Sequence, residues 1–334
     1  MEDFLAVEQE VVGKTKTRTM KNFGRILLLF TILISCRQKE GLKENVIASP
    51  YIYVLGVAQD AGYPQINCEK ECCQRVYENP ENARNVVSLA LIDPITKKNW
   101  IFDATPDLPM QLKMLTDEIK TPGKLPDGIF LTHAHIGHYT GLMYLGREAM
   151  NSKNEFVYAM PRMKHFLENN GPWSQLISLK NINLIKLHKD SMVTLTNTIS
   201  VTPILVPHRD EYSETVGYLM QVSKKKVLFI PDINKWQKWD KNILEYIKEV
   251  DIAFLDATFF KNGEIVGRPM SEIPHPFVEE SMNLFKNLSV KDKKKVYFIH
   301  FNHTNPLLID GSDAEKTVLK NGFNVAKQGM RISL

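Results

Sequence analysis

The sequence predicts a mixed α/β fold in which strands pair both as hairpins and across helices, and three observations carry that expectation. Short β-branched and aromatic runs alternate with helix-length segments from residue 51 onward; some neighbouring runs, such as 218–222 and 227–230, are separated only by a short turn, 223–226; others are separated by a helix candidate. Strict strand–helix alternation would indicate a doubly wound parallel sheet, whereas the added hairpins indicate a mixed sheet or two packed sheets. At 334 residues the chain is read as one large domain behind an N-terminal address segment.

In order, 51–57 is a strand followed by a turn at Gly62, and 86–92 is a second strand closed by Asp93-Pro94. Residues 100–102 continue a hairpin into Asp103. Thr105 is placed as the N-cap and Pro106 as the first-turn proline of a helix running to about Ile119. A strand at 129–131 leads into a histidine-rich loop and a helix-like stretch, 141–149. Further strands at 156–159, 199–206, 218–222, 227–230, 252–255 and 296–299 alternate with helix candidates at 161–168, 238–249 and 276–288. No repeat of fixed period and no low-complexity tract is present.

Composition excludes several classes. With 43% apolar and 24% charged residues and a net charge of +4, the chain is neither disordered nor a multi-span membrane protein. The lysine runs 224–226 and 293–295 each precede an apolar segment and read as solvated turns, so no nucleic-acid partner is expected.

The segment from Met20, MKNFGRILLLFTILISC, places Lys21 and Arg25 before an apolar run, 26–34, and ends in Ser35-Cys36. That is the layout of a secretory signal, and the run is shorter than the roughly 20 residues that cross a bilayer. Leu33-Ile34-Ser35-Cys36 resembles a bacterial lipobox, which implies lipidation of Cys36, export and a membrane anchor. Residues 1–35 are therefore assigned to an upstream extension and a lipoprotein-type signal peptide, 36–49 to a polar tether, and 50–334 to the folded domain. Removing 1–35 leaves 37 basic against 34 acidic side chains, a net charge near +3.

Chemistry concentrates in THAHIGHYTG at 132–141. His133, His135 and His138 follow directly on a strand, and imidazoles at these spacings can converge on one divalent cation. This segment resembles the HxHxDH signature of the metallo-β-lactamase superfamily, which implies a four-layer αββα sandwich with metals at one edge of its two sheets. The other superfamily positions fall in order: Asp103 after an early strand, His208 in VPHRDE, Asp232 ending VLFIPD and His300 ending VYFIH. The resemblance implies that His133, His135 and His208 hold one metal, that His138 and His300 serve a second, and that Asp232 bridges them.

The signature's aspartate is here Gly137, so the second site is expected to lack its usual carboxylate, and Gly137→Asp is expected to raise occupancy toward two. A single metal, or a site redistributed onto His303, would be compatible with the glycine. GVAQDAGYPQINC at 56–68, DATPDLPMQL at 103–112 and FIHFNHTNPLL at 298–308 resemble the pyrroloquinoline-quinone biosynthesis protein B group of that superfamily. That group replaces the first two histidines of the metal motif, which this chain keeps.

Cys68, Cys72 and Cys73 are three thiols within six residues. They suit a structural zinc with a fourth ligand from elsewhere, and export would favour one disulfide and one free thiol. His275, in IPHPFVEES, stands where the phosphodiesterase branch of the superfamily keeps a histidine that assists the leaving group; a helix-start hydrogen bond is the alternative. His303 is a ligand candidate or a partner that orients one. Asp256 reads as a turn cap, Trp236 and Trp239 as packing residues, and His165 and His188 as solvated.

The function expected first is metal-dependent hydrolysis of a small-molecule substrate, with zinc as the cofactor and Asp232 and His275 as catalytic groups. Iron in the same site would imply an oxygenase or hydroxylase, the alternative that the likeness to protein B suggests. A non-catalytic metal-binding sensor is the third reading.

Overall fold

The computed structural model describes residues 49–334 apart from 266, 268, 270 and 271. The segments expected to be a signal peptide, 1–35, a lipidated Cys36 and a tether, up to residue 48, lie outside the described residues.

Apolar runs of strand length assemble into two seven-stranded sheets. The first holds β1 (Tyr51–Gly56), β2 (Ser88–Asp93), β3 (Lys98–Phe102), β4 (Gly128–Phe130), β5 (Glu155–Ala159) and β6 (Ile182–Lys186) in sequence order. The second holds β7 (Val193–Thr194), β8 (Ile199–Leu205), β9 (Val216–Val222), β10 (Lys225–Ile230), β11 (Ile252–Asp256), β12 (Val296–Ile299) and β13 (Asn324–Val325). The C-terminal β14 (Arg331–Ser333) returns to pair with β1.

The side-chain period of two divides the first sheet's residues between two cores. In β2, Leu89 and Leu91 join the core shared with the second sheet, while Ala90 and Ile92 join the core beneath helices. In β3 and β4, Phe102 and Phe130 face the second sheet, whereas Ile101 and Ile129 face away. Phe102 stacks on Phe130 at 5.2 Å between ring centres and meets Tyr218 at 5.4 Å and Phe229 at 6.2 Å, so aromatic rings from β3, β4, β9 and β10 join the sheets. The Tyr218 hydroxyl donates to the Leu131 carbonyl across the same interface.

Helices cover both outer faces. In chain order they are α1 (Glu71–Glu78), α2 (Leu108–Glu118), α3 (Ile136–Tyr139), α4 (Pro161–Asn169), α5 (Trp173–Ser178), α6 (Ile243–Glu249), α7 (Val278–Leu284), α8 (Val290–Lys293) and α9 (Asp313–Lys320). Leu108 and Leu115 of α2, Met163 and Leu167 of α4 and Leu176 of α5 pack on the first sheet. Ile243 and Ile247 of α6, Val278 and Met282 of α7 and Val318 of α9 pack with residues of the second. The expected αββα sandwich is therefore the architecture observed.

The two sheets share one topology without sharing a sequence period. In each, an antiparallel meander (β1-β2-β3, β8-β9-β10) continues into parallel strands (β3 to β6, β10 to β13). Some boundaries differ from expectation. Asp107, not Thr105, caps α2, and the Thr105 hydroxyl instead accepts from the Asp107 amide at 3.1 Å. The stretch 141–149 forms only a 3₁₀ turn, Thr140–Leu145, because Gly141 is pinned by its amide on the Ala104 carbonyl at 2.9 Å. Trp236 and Trp239 are packed, donating from their indole nitrogens to Ser281 at 2.9 Å and to the Leu205 carbonyl at 2.8 Å.

Candidate metal centre

Strand ends build the site. β3 ends before Asp103, β4 before the loop of His133, His135 and His138, β8 before the loop of His208, β10 before Asp232, β11 in Asp256, and β12 before His300. These strand ends meet at one edge of the sandwich, and the loop after β8 is pinned to the histidine loop: the Ala134 amide donates to Ser213 Oγ at 2.8 Å, and the Val216 amide to the Thr132 carbonyl at 3.1 Å.

Three four-residue groups share Asp232. His133, His135, His208 and Asp232 form one, Asp60, His138, Asp232 and His300 a second, and Asp232, Asp256, His275 and His300 a third, with the ligand atoms of each within 4.8 Å of one another. His133 Nε2 lies 2.8 Å from His135 Nδ1 and 3.4 Å from Asp232 Oδ2, and His208 Nε2 lies 3.3 Å from Asp232 Oδ1. In the second group His138 Nε2 is 2.9 Å from Asp60 Oδ1, and His300 Nε2 is 3.5 Å from Asp60 Oδ1 and 3.9 Å from Asp232 Oδ2. Tetrahedral zinc with nitrogen ligands at about 2.0–2.1 Å has ligand edges of about 3.3 Å, so these separations match donors arranged around cations.

Buried polar atoms left without hydrogen bonds support the same fit. His208 Nδ1 and Nε2, His300 Nε2 and Asp232 Oδ1 are buried and have no hydrogen-bond partner among the described residues. Buried polar groups are ordinarily satisfied, and a cation would satisfy those that converge here. On three of the rings the opposite nitrogen is fixed: His133 Nδ1 meets Thr132 Oγ1 at 3.0 Å, His138 Nδ1 meets Asp103 Oδ2 at 2.8 Å, and His300 Nδ1 meets Thr258 Oγ1 at 2.8 Å. Such bonds set the tautomer and leave Nε2 aimed at the site. His135, 13% exposed, faces solvent, with Nε2 3.4 Å from Glu211.

Electrostatics follow from burial and mutual charge. Burial, reinforced by the charge of His138, holds His133 well below the usual histidine range, which favours the neutral form that ligates. Burial also lowers His135. His138 moves the other way, because Asp103 and Asp60 outweigh its burial. For Asp60 the His138 and His300 imidazoles outweigh burial, and for Asp232 His208, His275 and His300 do so, and both carboxyls are held well below the usual range.

His275 joins this network through Nδ1, 2.8 Å from Asp256 Oδ2 and 3.1 Å from Asp232 Oδ1. Burial opposes its charge, but Asp256 and Asp232 push it up to about 10. Asp256 caps the following turn, accepting from the Thr258 amide at 2.9 Å, and orients His275 with its other oxygen. His303 is not brought into the three groups; its Nδ1 lies 3.2 Å from Asn302 Oδ1, and burial and nearby Lys70 lower it. His165 and His188 are exposed.

Asp60 carries no site assignment from sequence. The only cue is an acidic residue in the turn of GVAQDAGYPQ, 78 positions from the histidine it meets. Cys68, Cys72 and Cys73 form a separate group with Sγ atoms within 4.8 Å, all as free thiols, and no fourth His, Cys, Asp or Glu joins them among the described residues. Burial pushes Cys73 up to about 12 and raises Cys72, whereas at Cys68 the Lys70 amide and the neighbouring thiols outweigh burial and lower it.

The Beta-lactamase superfamily domain matches residues 98–301, more than half of the chain. The chain belongs to that superfamily. Within it, the chain is similar to coenzyme PQQ synthesis protein B of Acinetobacter baylyi, 26% identical over 312 residues that cover 85% of this chain and 99% of that protein. Zinc-bound PqqB from Methylobacterium extorquens superposes with a TM-score of 0.72 at 21% identity, over 85% of this chain and all of that one. A diphosphatase from the PhnP family superposes with a TM-score of 0.60 at 22% identity, over 85% and 97% of the two chains. These two likenesses establish the shared sandwich fold.

Proposed function

We propose that this superfamily member is a hydrolase that works with two divalent cations, zinc first among them. His133, His135, His208 and Asp232 would hold one cation, and His138, His300, Asp60 and Asp232 the other. The observation that carries the reading is the position of Asp232, a buried carboxylate common to both donor groups. The zinc-bound protein among the solved relatives supports the choice of metal.

Bound divalent cations supply a nucleophile from water at neutral pH and neutralise charge that develops at the scissile bond. The chain's own residues do the rest. Thr132, Asp103 and Thr258 hold the imidazoles in register, and Asp232 fixes the spacing between the two donor groups. His275, which Asp256 orients through Nδ1, would use its Nε2 to donate a proton to a leaving group.

Phosphoesters are the first substrate class to assay, a choice supported by the PhnP-family diphosphatase among the similar structures. Zinc-dependent turnover of phosphodiester, lactone or lactam substrates, lost in Asp232→Ala and His133→Ala, is the expected result. Iron at the histidines with none of these substrates turned over would overturn the reading in favour of oxygen chemistry.

The proposal includes location. The Leu33-Ile34-Ser35-Cys36 sequence supports export and a lipid anchor at Cys36. Incorporation of labelled fatty acid into the wild type but not Cys36→Ser is expected, and equal labelling, or none in either, would contradict it. Among the described residues no helix is long and apolar enough to cross a membrane.

A further inference from the structure

The superfamily signature has an aspartate where this chain has Gly137, and the structure shows what fills that space. A Cβ at position 137 would lie 2.5 Å from Asp60 Cα, 2.7 Å from its Cβ and 2.7 Å from its Oδ1. The nearest of these atoms belongs to the main chain, which cannot swing aside like the end of a flexible side chain. The glycine is required for room and not for backbone freedom, since it sits within α3 and outside the left-handed region.

What enters that room is a carboxylate. Asp60 Oδ1 stands 2.9 Å from His138 Nε2 and 3.5 Å from His300 Nε2, the two imidazoles of the second donor group. We infer that Asp60 supplies the carboxylate ligand of the second cation in place of a side chain at 137, and that Asp60 and Gly137 are an interdependent pair. The inference rests on the two-cation reading of the site. On this inference the second site has a carboxylate despite Gly137, and Gly137→Asp alone would not raise occupancy.

The loop after β1 is built to present Asp60. The Ala58 amide donates to the Asn85 carbonyl at 2.9 Å and the Gln59 amide to the Phe301 carbonyl at 2.8 Å. Beyond the turn, Tyr63 and Arg84 exchange amide-to-carbonyl bonds of 3.2 and 2.9 Å. Because Phe301 follows His300, one strand end places both the histidine and the loop that brings its carboxylate neighbour. A simple ion pair between Asp60 and His138 would not account for His300 Nε2, which is buried 3.5 Å from Asp60 Oδ1 without a hydrogen-bond partner among the described residues.

The test is calorimetric titration of Mn²⁺ into the chelator-stripped full chain, since Mn²⁺ prefers oxygen and nitrogen donors and leaves the cysteine cluster aside. Wild type is expected to take two Mn²⁺, and Asp60→Ala and Asp60→Asn one, with any second binding weakened at least about 100-fold. Gly137→Asp alone is expected to lose the second cation, and Asp60→Gly combined with Gly137→Asp to regain it. Asp60→Asn keeps the shape of the loop and decides the matter if Gly137→Asp does not fold. Two cations at wild-type affinity in Asp60→Asn, or a double variant no better than Asp60→Gly, would overturn the inference while leaving the two-cation reading intact. Wild type that binds no cation would overturn both.

Discussion

Asp103 Oδ2 lies 2.8 Å from His138 Nδ1, with both side chains fully shielded from solvent. The same carboxylate accepts from the Thr132 amide at 2.8 Å and from its hydroxyl at 3.0 Å, so one residue ties the end of β3 to the start of the histidine loop. Asp103 has φ 72° and His300 φ 70°, a left-handed backbone that non-glycine residues adopt at a cost of about 1–2 kcal/mol. Both follow a strand directly, and this turn of the backbone directs each side chain into the site. Strain of this kind is retained where surrounding contacts over-determine it.

Replacing Asp103 separates orientation from ligation. Asp103→Ala strands a buried imidazole and the Thr132 amide, and a loss of about 3–5 kcal/mol in denaturant unfolding is expected. Asp103→Asn keeps the shape and weakens cation affinity by about 10–100-fold in chelator competition. Unchanged affinity in Asp103→Asn would remove Asp103 from the metal centre.

Cation binding stabilises the fold by mass action, about 2.7 kcal/mol at a free concentration of 100 times Kd. For a body of this size that corresponds to a rise in Tm of roughly 4–5 °C. Zinc is expected to raise the Tm of wild type and chelator to reverse it, with His133→Ala/His135→Ala showing a markedly smaller response. An equal shift in the double variant would place the stabilising cation elsewhere.

Much of the site is legible in the sequence because local patterns coincide with tertiary roles. The His133, His135 and His138 spacing, and the strands before Asp232 and His300, are short-range signals that the sandwich preserves. The Asp60–Gly137 contact has no local pattern, because it depends on a loop and a helix meeting across the fold. Local pattern sets the α2 cap two residues early for a similar reason: the Asp107 carboxylate bonds to the Val86 amide at 2.8 Å, a partner remote in sequence. Nor does an edge strand such as β6 announce itself, since Asn183 breaks its short apolar run and Lys186 ends it.

Phe102 sits between the sheets one residue before Asp103. Phe102→Ala is expected to cost about 3–5 kcal/mol in unfolding free energy. Phe102→Leu, which retains most of the volume, should cost less and keep cation stoichiometry. A loss below about 1 kcal/mol in the alanine variant would mean that this ring does not join the sheets.

The cysteine group is expected to hold one zinc apart from the histidine centre. Cys68→Ala/Cys72→Ala/Cys73→Ala should lose one zinc per chain by elemental analysis and lower the Tm. Zinc content equal to that of wild type would exclude a metal at these thiols.

Asp232 as the carboxylate shared by two cations is the central claim, and the most direct measurement is zinc content per chain after dialysis, wild type against Asp232→Ala, each in the three-cysteine alanine background. Two zinc ions in the parent and a loss of at least one in Asp232→Ala are predicted. Equal zinc in both proteins, or none in the parent, would contradict it.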